Sequence, residues 1–208
     1  MEYSRTYINS MRIALGIIFV ALVSLAIGVY LFIEKPEQVS QFFTSKINIM
    51  IITSPSFENS RFIPSTFSCD GQNINPVLSI AEVPKGAKSL ALTVNDPDAP
   101  SGSFVHWIMW NLSPDTETIP QDAEAVAALN MTSPANQIFG REGINGTGYI
   151  GYTGPCPPSG THHYIFKLYA LDTMLELDSA TTKPMLERAM AGHILAEAEL
   201  TGLYGRIK

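Results

Sequence analysis

The sequence predicts a mainly β (α+β) domain: a packed antiparallel β core with one C-terminal helix, preceded by a single N-terminal transmembrane helix. Three observations carry this. Short apolar runs with alternating character are separated by glycine- and proline-rich stretches across the middle of the chain. One segment near the end, Lys183 to Leu200, shows helical spacing. A 21-residue run from Ile13 to Ile33 carries no charge. Strands first and a helix last imply an antiparallel core with helices on one side.

The elements follow in chain order. Residues 1–12 form a short N-terminus with Arg5 and Arg12. Residues 13–33 are long enough to cross a hydrocarbon core, which needs roughly 20 residues. The two arginines before the run place the N-terminus in the cytoplasm and the domain outside it. A cleaved signal peptide is the rival reading. Against it, the apolar run exceeds the usual roughly 7–15 residues and no A-x-A site follows. The expected location is therefore the cell membrane, single-pass, with the domain extracytoplasmic. Residues 34–46 read as a tether, polar and containing Pro36.

The domain, residues 47–208, opens with the apolar, β-rich run Ile47 to Thr53. Ser89 to Asn95 reads as a strand, then Phe104 to Leu112, then His162 to Asp172. Side chains alternate faces along a strand. Phe104, His106, Ile108 and Trp110 are thus expected on one face. His162, Tyr164, Phe166 and Leu168 share a face, and His163 points the other way. The region before Gly160 is too rich in glycine and proline for a long regular element. The helix is expected over Lys183 to Leu200, capped by Thr182, with Pro184 in its first turn and Gly202 as its stop. Met185, Ala189, Gly192-His193, Ala196 and Leu200 would form its apolar stripe.

Composition narrows the functional classes. The formal net charge is −6, with 13 basic and 19 acidic residues. No basic stripe is present, so no nucleic-acid partner is expected. G-x-S-x-G, G-x-G-x-x-G and G-x-x-x-x-G-K-[ST] do not occur. No cofactor and no enzymatic activity are expected from these motifs. His106, His162 and Asp96 offer a two-histidine, one-carboxylate set, but H-E-x-x-H and paired C-x-x-C signatures are missing, so no metal is expected.

The candidate site begins at Asp96-Pro97-Asp98-Ala99-Pro100. Proline fixes φ and removes a backbone donor, so this run is a stiff bend that holds two carboxylates at a strand end. Asp96 and Asp98 can also cap a turn through nearby backbone. His106, His162 and Tyr164 stand on the flanking strands, and Gly154 and Pro157 lie in the loop before His162. Histidine and tyrosine donors suit a phosphate head, and backbone N–H groups of the 151–160 loop can add an anion-binding concavity. Bare carboxylates repel phosphate. Asp96 therefore fits best as a partner that orients a histidine, or as an acceptor for an ammonium on a zwitterionic headgroup.

With these residues in view, the chain resembles a phosphatidylethanolamine-binding protein of the prokaryotic, Raf-kinase-inhibitor-like branch. The resemblance is carried by Ser68-Cys69-Asp70-Gly71 with Asn73 to Pro76, by the Asp-Pro-Asp-Ala-Pro run, and by His106-Trp107. It continues through Gly151-Tyr152, Gly154 to Pro158, His162-His163-Tyr164, Gly192-His193 and Gly202 to Arg206. It spans about Ile47 to Arg206. The resemblance implies a β-sandwich-like fold and a small anion pocket made from the aspartate, both histidines and the tyrosine, with Tyr204 reaching the rim. The implied partner is a phosphorylated small molecule or phospholipid headgroup. A protein-interaction regulator, such as a peptidase or kinase inhibitor, is the alternative. Cys69 and Cys156 fall in loops that the resemblance places around the pocket. They stand either as a disulfide, favoured outside the cytoplasm, or as two buried thiols.

Overall fold

The computed structural model describes residues 49–123 and 140–206. The expected membrane span, 13–33, lies outside them. Among the described residues no helix is long and apolar enough to cross a membrane.

Two sheets build the domain. The smaller has the order β1-β3-β6, from Ile51–Thr53, Leu78–Ala81 and Thr118–Ile119. The larger has the order β2-β9-β8-β4-β5-β7, from Arg61–Phe62, Ile194–Gly205, Thr161–Leu171, Ser89–Asp96, Phe104–Leu112 and Arg141–Glu142. All pairings are antiparallel except β2 with β9, which is parallel.

The alternation read in the sequence explains the packing. Ile52, Leu78, Ile80 and Ile119 of the small sheet meet Leu90, Leu92, Val94, Phe166 and Leu168 of the large one in the main core. This is sheet-on-sheet packing through facing apolar rows. The opposite face of the large sheet carries a second core of Ala91, Ile108, Trp110, Tyr169 and Leu171. Helix α1, Lys183–Met190, covers it with Leu186 and Met190. Because β4 is covered on both faces, it is buried almost throughout, as a central strand must be.

The expected C-terminal helix needs correction. It ends at Met190, and Ile194 onward is a strand, the longest among the described residues. Gly192 at φ +83° makes the break, a conformation that suits glycine. The misreading has a simple origin. Ala196 and Leu200 lie four apart, a spacing that a helix face and a strand face share. In the strand, Ala196, Ala198, Leu200 and Tyr204 turn to the main core, while Leu195, Glu197 and Glu199 are exposed. Pairing with β8 from Leu171↔Ile194 to Thr161↔Gly205 overrides the helical propensity of alanine and glutamate. Gly202 is not a helix stop. A Cβ there would strike Ile63 and Phe57, so glycine permits the close approach of the β2 segment.

Pro184 sits at the start of α1 as expected, but Thr182 caps with backbone alone and makes no side-chain bond. Lys183 and Glu187 form an i,i+4 ion pair at 2.6 Å. The chain from Asp172 to His193 is an excursion that carries α1. It is closed at its base by Asp172 N–H donating to the His193 carbonyl at 3.0 Å and by a His193 Nδ1 to Asp172 Oδ1 contact at 2.8 Å.

Candidate ligand pocket

The site lies where β4, β5 and β8 end together. Asp96 closes β4. Its Oδ1 accepts the Asp98 N–H at 2.8 Å, an aspartate-capped turn. Its Oδ2 is 2.7 Å from His162 Nδ1. Both residues are buried. A carboxylate accepts only, so His162 Nδ1 carries the proton and Nε2 is the nitrogen left for a ligand. The two readings of Asp96, turn cap and histidine partner, are both realised, one by each oxygen.

His106 reaches the same place through a bulge. Val94 pairs with Trp107 and Asn95 with Val105, which leaves His106 as the extra residue. An inserted residue re-aims the side chains around it. The expected shared face of Phe104, His106, Ile108 and Trp110 is therefore split. Ile108 and Trp110 enter the second core under α1, whereas the His106 ring packs tilted against Phe104 at 4.9 Å and edge-on to Tyr164 at 5.0 Å between ring centroids. His106 Nδ1 lies 2.7 Å from the Thr153 carbonyl oxygen. Burial holds this imidazole below the usual histidine range, opposed by the Thr153 backbone and the Asp96 charge.

β8 behaves as its alternation requires. His162 and Tyr164 turn inward and His163 is exposed. Tyr164 is 1% exposed, and its hydroxyl has no hydrogen-bond partner among the described residues. Burial, then the Asp96 and Asp98 charges, raise its pKa and keep the hydroxyl protonated.

A cavity of about 240 Å³ opens over this group. Asp96, His106, His162, Gly154 and Pro157 line it, as do Phe104, Ser101, Thr147, Thr153 and Cys156. Among the described residues no lysine or arginine lines it. Tyr164 does not line it and instead supports the His106 ring from below.

Two expected site residues lie elsewhere. Asp98 faces outward, where its Oδ2 accepts from the backbone N–H of His163 at 2.8 Å and contacts His163 Nδ1 at 2.7 Å. The His163 side chain, then its backbone, hold the Asp98 carboxyl below its usual range. Tyr204 pairs with His162 across the sheet, but its hydroxyl donates to Asp70 Oδ2 at 2.8 Å and accepts from Ser68 Oγ at 2.8 Å. Arg206 joins the same carboxylate at 2.9 Å. Tyr204 is thus a strut between β9 and the Ser68–Asp70 loop rather than a rim residue.

The loop donors also differ from expectation. The Thr153 N–H is taken by the His106 carbonyl at 2.9 Å and the Gly154 N–H by Asn73 Oδ1 at 2.7 Å. Pro155, Pro157 and Pro158 have none to give. Those two N–H groups are therefore taken, and side chains have to supply part of the donor set for an anion.

The wall of the cavity is pinned to the 65–73 segment. Cys69 and Cys156 form a disulfide with Cα atoms 5.4 Å apart. Tyr152 Oη donates to the Phe67 carbonyl at 2.8 Å, and Cys69 N–H donates to Pro155 O at 3.1 Å. Ser101, Thr147 and Thr153 were not signalled by the sequence. They enter by loop path alone, which no strand periodicity reports.

The domain is a two-sheet β fold with a small histidine- and aspartate-lined cavity at the ends of its central strands. A family model described as phosphatidylethanolamine-binding protein matches residues 53–205. A UPF0098 protein of Methanothermobacter thermautotrophicus is 45% identical over 157 residues, covering 76% of this chain and 99% of the relative. A UPF0098 protein of Chlamydia muridarum is 45% identical over 160 residues, covering 74% and 98%. Among solved structures, a phosphatidylethanolamine-binding protein homologue of Chlamydia trachomatis is similar at TM-score 0.69 and 43% identity, covering 77% of this chain and 99% of that one. YbcL of E. coli, described as a member of the mammalian family of these proteins, is similar at TM-score 0.67 and 32% identity, covering 76% and 99%. The chain belongs to the phosphatidylethanolamine-binding protein family.

Proposed function

We propose that this chain is a binding protein, not an enzyme, for a phosphate-bearing small molecule or phospholipid headgroup. One observation carries the reading. Two buried imidazoles, His106 and His162, line one small cavity, with Asp96 behind the second. When the His162 ring holds its second proton, Nε2–H offers a charge-assisted bond to an oxyanion and Asp96 balances the charge. The cavity volume suits a headgroup-sized ligand rather than a lipid tail. The uncharged run from Ile13 to Ile33 supports a tether that holds the domain at the outer face of the cell membrane.

The reading is tested by titrating phosphoethanolamine at millimolar concentration into the protein and following the histidine ring resonances by NMR. His106 and His162 are expected to shift, and the exposed His193 is expected to stay. If neither His106 nor His162 moves, the pocket is not an anion site.

A further inference from the structure

We propose that His106 makes the pocket selective for an oxyanion that brings its own proton, a phosphate monoester, over an isosteric oxyanion that has none, such as a sulfate monoester; this rests on the anion-binding reading above. The argument is geometric. His106 Nδ1 lies 2.7 Å from the carbonyl oxygen of Thr153. A carbonyl cannot donate, so the proton is on Nδ1. In the neutral ring Nε2 is then a bare lone pair, a hydrogen-bond acceptor on a ring that lines the cavity.

The ring is locked in this sense. It is 4% exposed and wedged between Phe104 and Tyr164, at 4.9 and 5.0 Å. Rotating it would break the bond to Thr153. The groups that bear on it are Asp96 from β4, His162 and Tyr164 from β8, and the Thr153 and Gly154 backbone. Burial outweighs the Asp96 charge and keeps the ring neutral. Among the described residues no lysine or arginine lines the cavity.

The two imidazoles are therefore unlike. His162 has a full carboxylate charge behind its ring, from Asp96, so an Nε2–H there would be a charge-assisted donor. His106, backed by a neutral carbonyl, accepts. A phosphate monoester has a second pKa of about 6. Near neutral pH it can present a P–O–H to His106 Nε2 and an unprotonated oxygen to His162. A sulfate monoester is acceptor-only, so its oxygen would meet the His106 lone pair. A site built around a hydrogen bond strongly rejects the analogue that lacks it.

The test uses the full chain in detergent and the isosteric pair phosphoethanolamine and ethanolamine O-sulfate, with 15N-labelled histidine. In the free protein near neutral pH, His106 is expected to be protonated at Nδ1 and bare at Nε2. Phosphoethanolamine is expected to bind roughly tenfold or more tighter than the sulfate and to shift the Nε2 resonance. Equal affinity for the two would overturn the selectivity and leave the anion pocket standing. An imidazolium at His106 in the free protein would also overturn it. Binding of neither compound would overturn both the selectivity and the anion pocket.

Discussion

Asp96 and His162 meet through one short contact, Oδ2 to Nδ1 at 2.7 Å, with side chains only 5% and 9% exposed. The same carboxylate also closes the Asp96–Asp98 turn through its other oxygen. Loop shape and ring orientation thus depend on a single group. Replacing it separates its shape from its charge. Asp96→Asn keeps an oxygen to accept from Nδ1 and is expected to fold normally but bind phosphoethanolamine more weakly. Asp96→Ala strands the ring N–H and the Asp98 N–H, and is expected to lose about 1–3 kcal/mol of stability. Chemical denaturation and calorimetric titration read the two effects. Native affinity in Asp96→Asn would show that the carboxylate charge plays no part.

His106 sets a pH dependence of stability. Its folded pKa lies below the ordinary 6.5 because burial disfavours the charged ring. The unfolded chain therefore takes up the proton first as pH falls. The stability from this group is fully present above about 6.5 and declines as pH drops through 6.5 toward the folded value. The slope cannot exceed about 1.4 kcal/mol per pH unit for one group. His106→Asn retains an amide donor for the Thr153 carbonyl and removes the titration. The difference between native and variant stability should shrink between neutral pH and pH about 5. A difference that stays constant would mean that His106 titrates alike in both states.

The site was legible where strand periodicity governs it, and less so where turns and bulges do. Alternation alone puts His162 and Tyr164 inward and His163 outward, because the β8 ladder with β9 keeps one register from Thr161 to Ala170. The stiff Asp96 bend follows from its prolines. His106 joins the pocket only through the bulge opposite Val94, and the spacing of residues on β5 gives no sign of an inserted residue. The β9 strand is hidden because its inward alanines and outward glutamates also satisfy a helix pattern. Gly192, which the helical reading placed inside its apolar stripe, is where the helix stops. Asp98 shows the limit of reading a motif as a unit: one residue separates it from Asp96, and its side chain serves the opposite side of the turn.

The Cys69–Cys156 bond spans 87 positions, and its removal should act mainly through the unfolded chain. Cys69→Ser with Cys156→Ser is expected to lose about 2–4 kcal/mol. The native fold should persist, because the Tyr152 to Phe67, Gly154 to Asn73 and Cys69 to Pro155 hydrogen bonds hold the same two loops together. Urea unfolding of the native protein, with and without reductant, checks this. Coincident midpoints, or two titratable thiols in protein purified without reductant, would rule out the cross-link's contribution.

Gly154 stands at the seam between the pocket wall and the 65–73 segment. A Cβ there would press on the Phe67 carbonyl and lie 2.8 Å from Ser68 Cα and 2.9 Å from Asn73 Oδ1. Two of these atoms belong to the backbone, so the contact cannot be relieved by a side-chain rotation. Gly154→Ala is expected to force the loops apart and cost about 1–3 kcal/mol, and to weaken ligand binding because Gly154 and Cys156 both line the cavity. Gly86 provides the comparison. It has φ +99°, a Cβ there would meet nothing within 4 Å, and it does not line the cavity. Gly86→Ala should therefore destabilise through backbone conformation alone and leave phosphoethanolamine affinity unchanged. Thermal unfolding and calorimetric titration of both variants separate the cases. If Gly154→Ala loses stability yet binds like the native protein, the 154–158 loop is a structural wall that does not shape the ligand site.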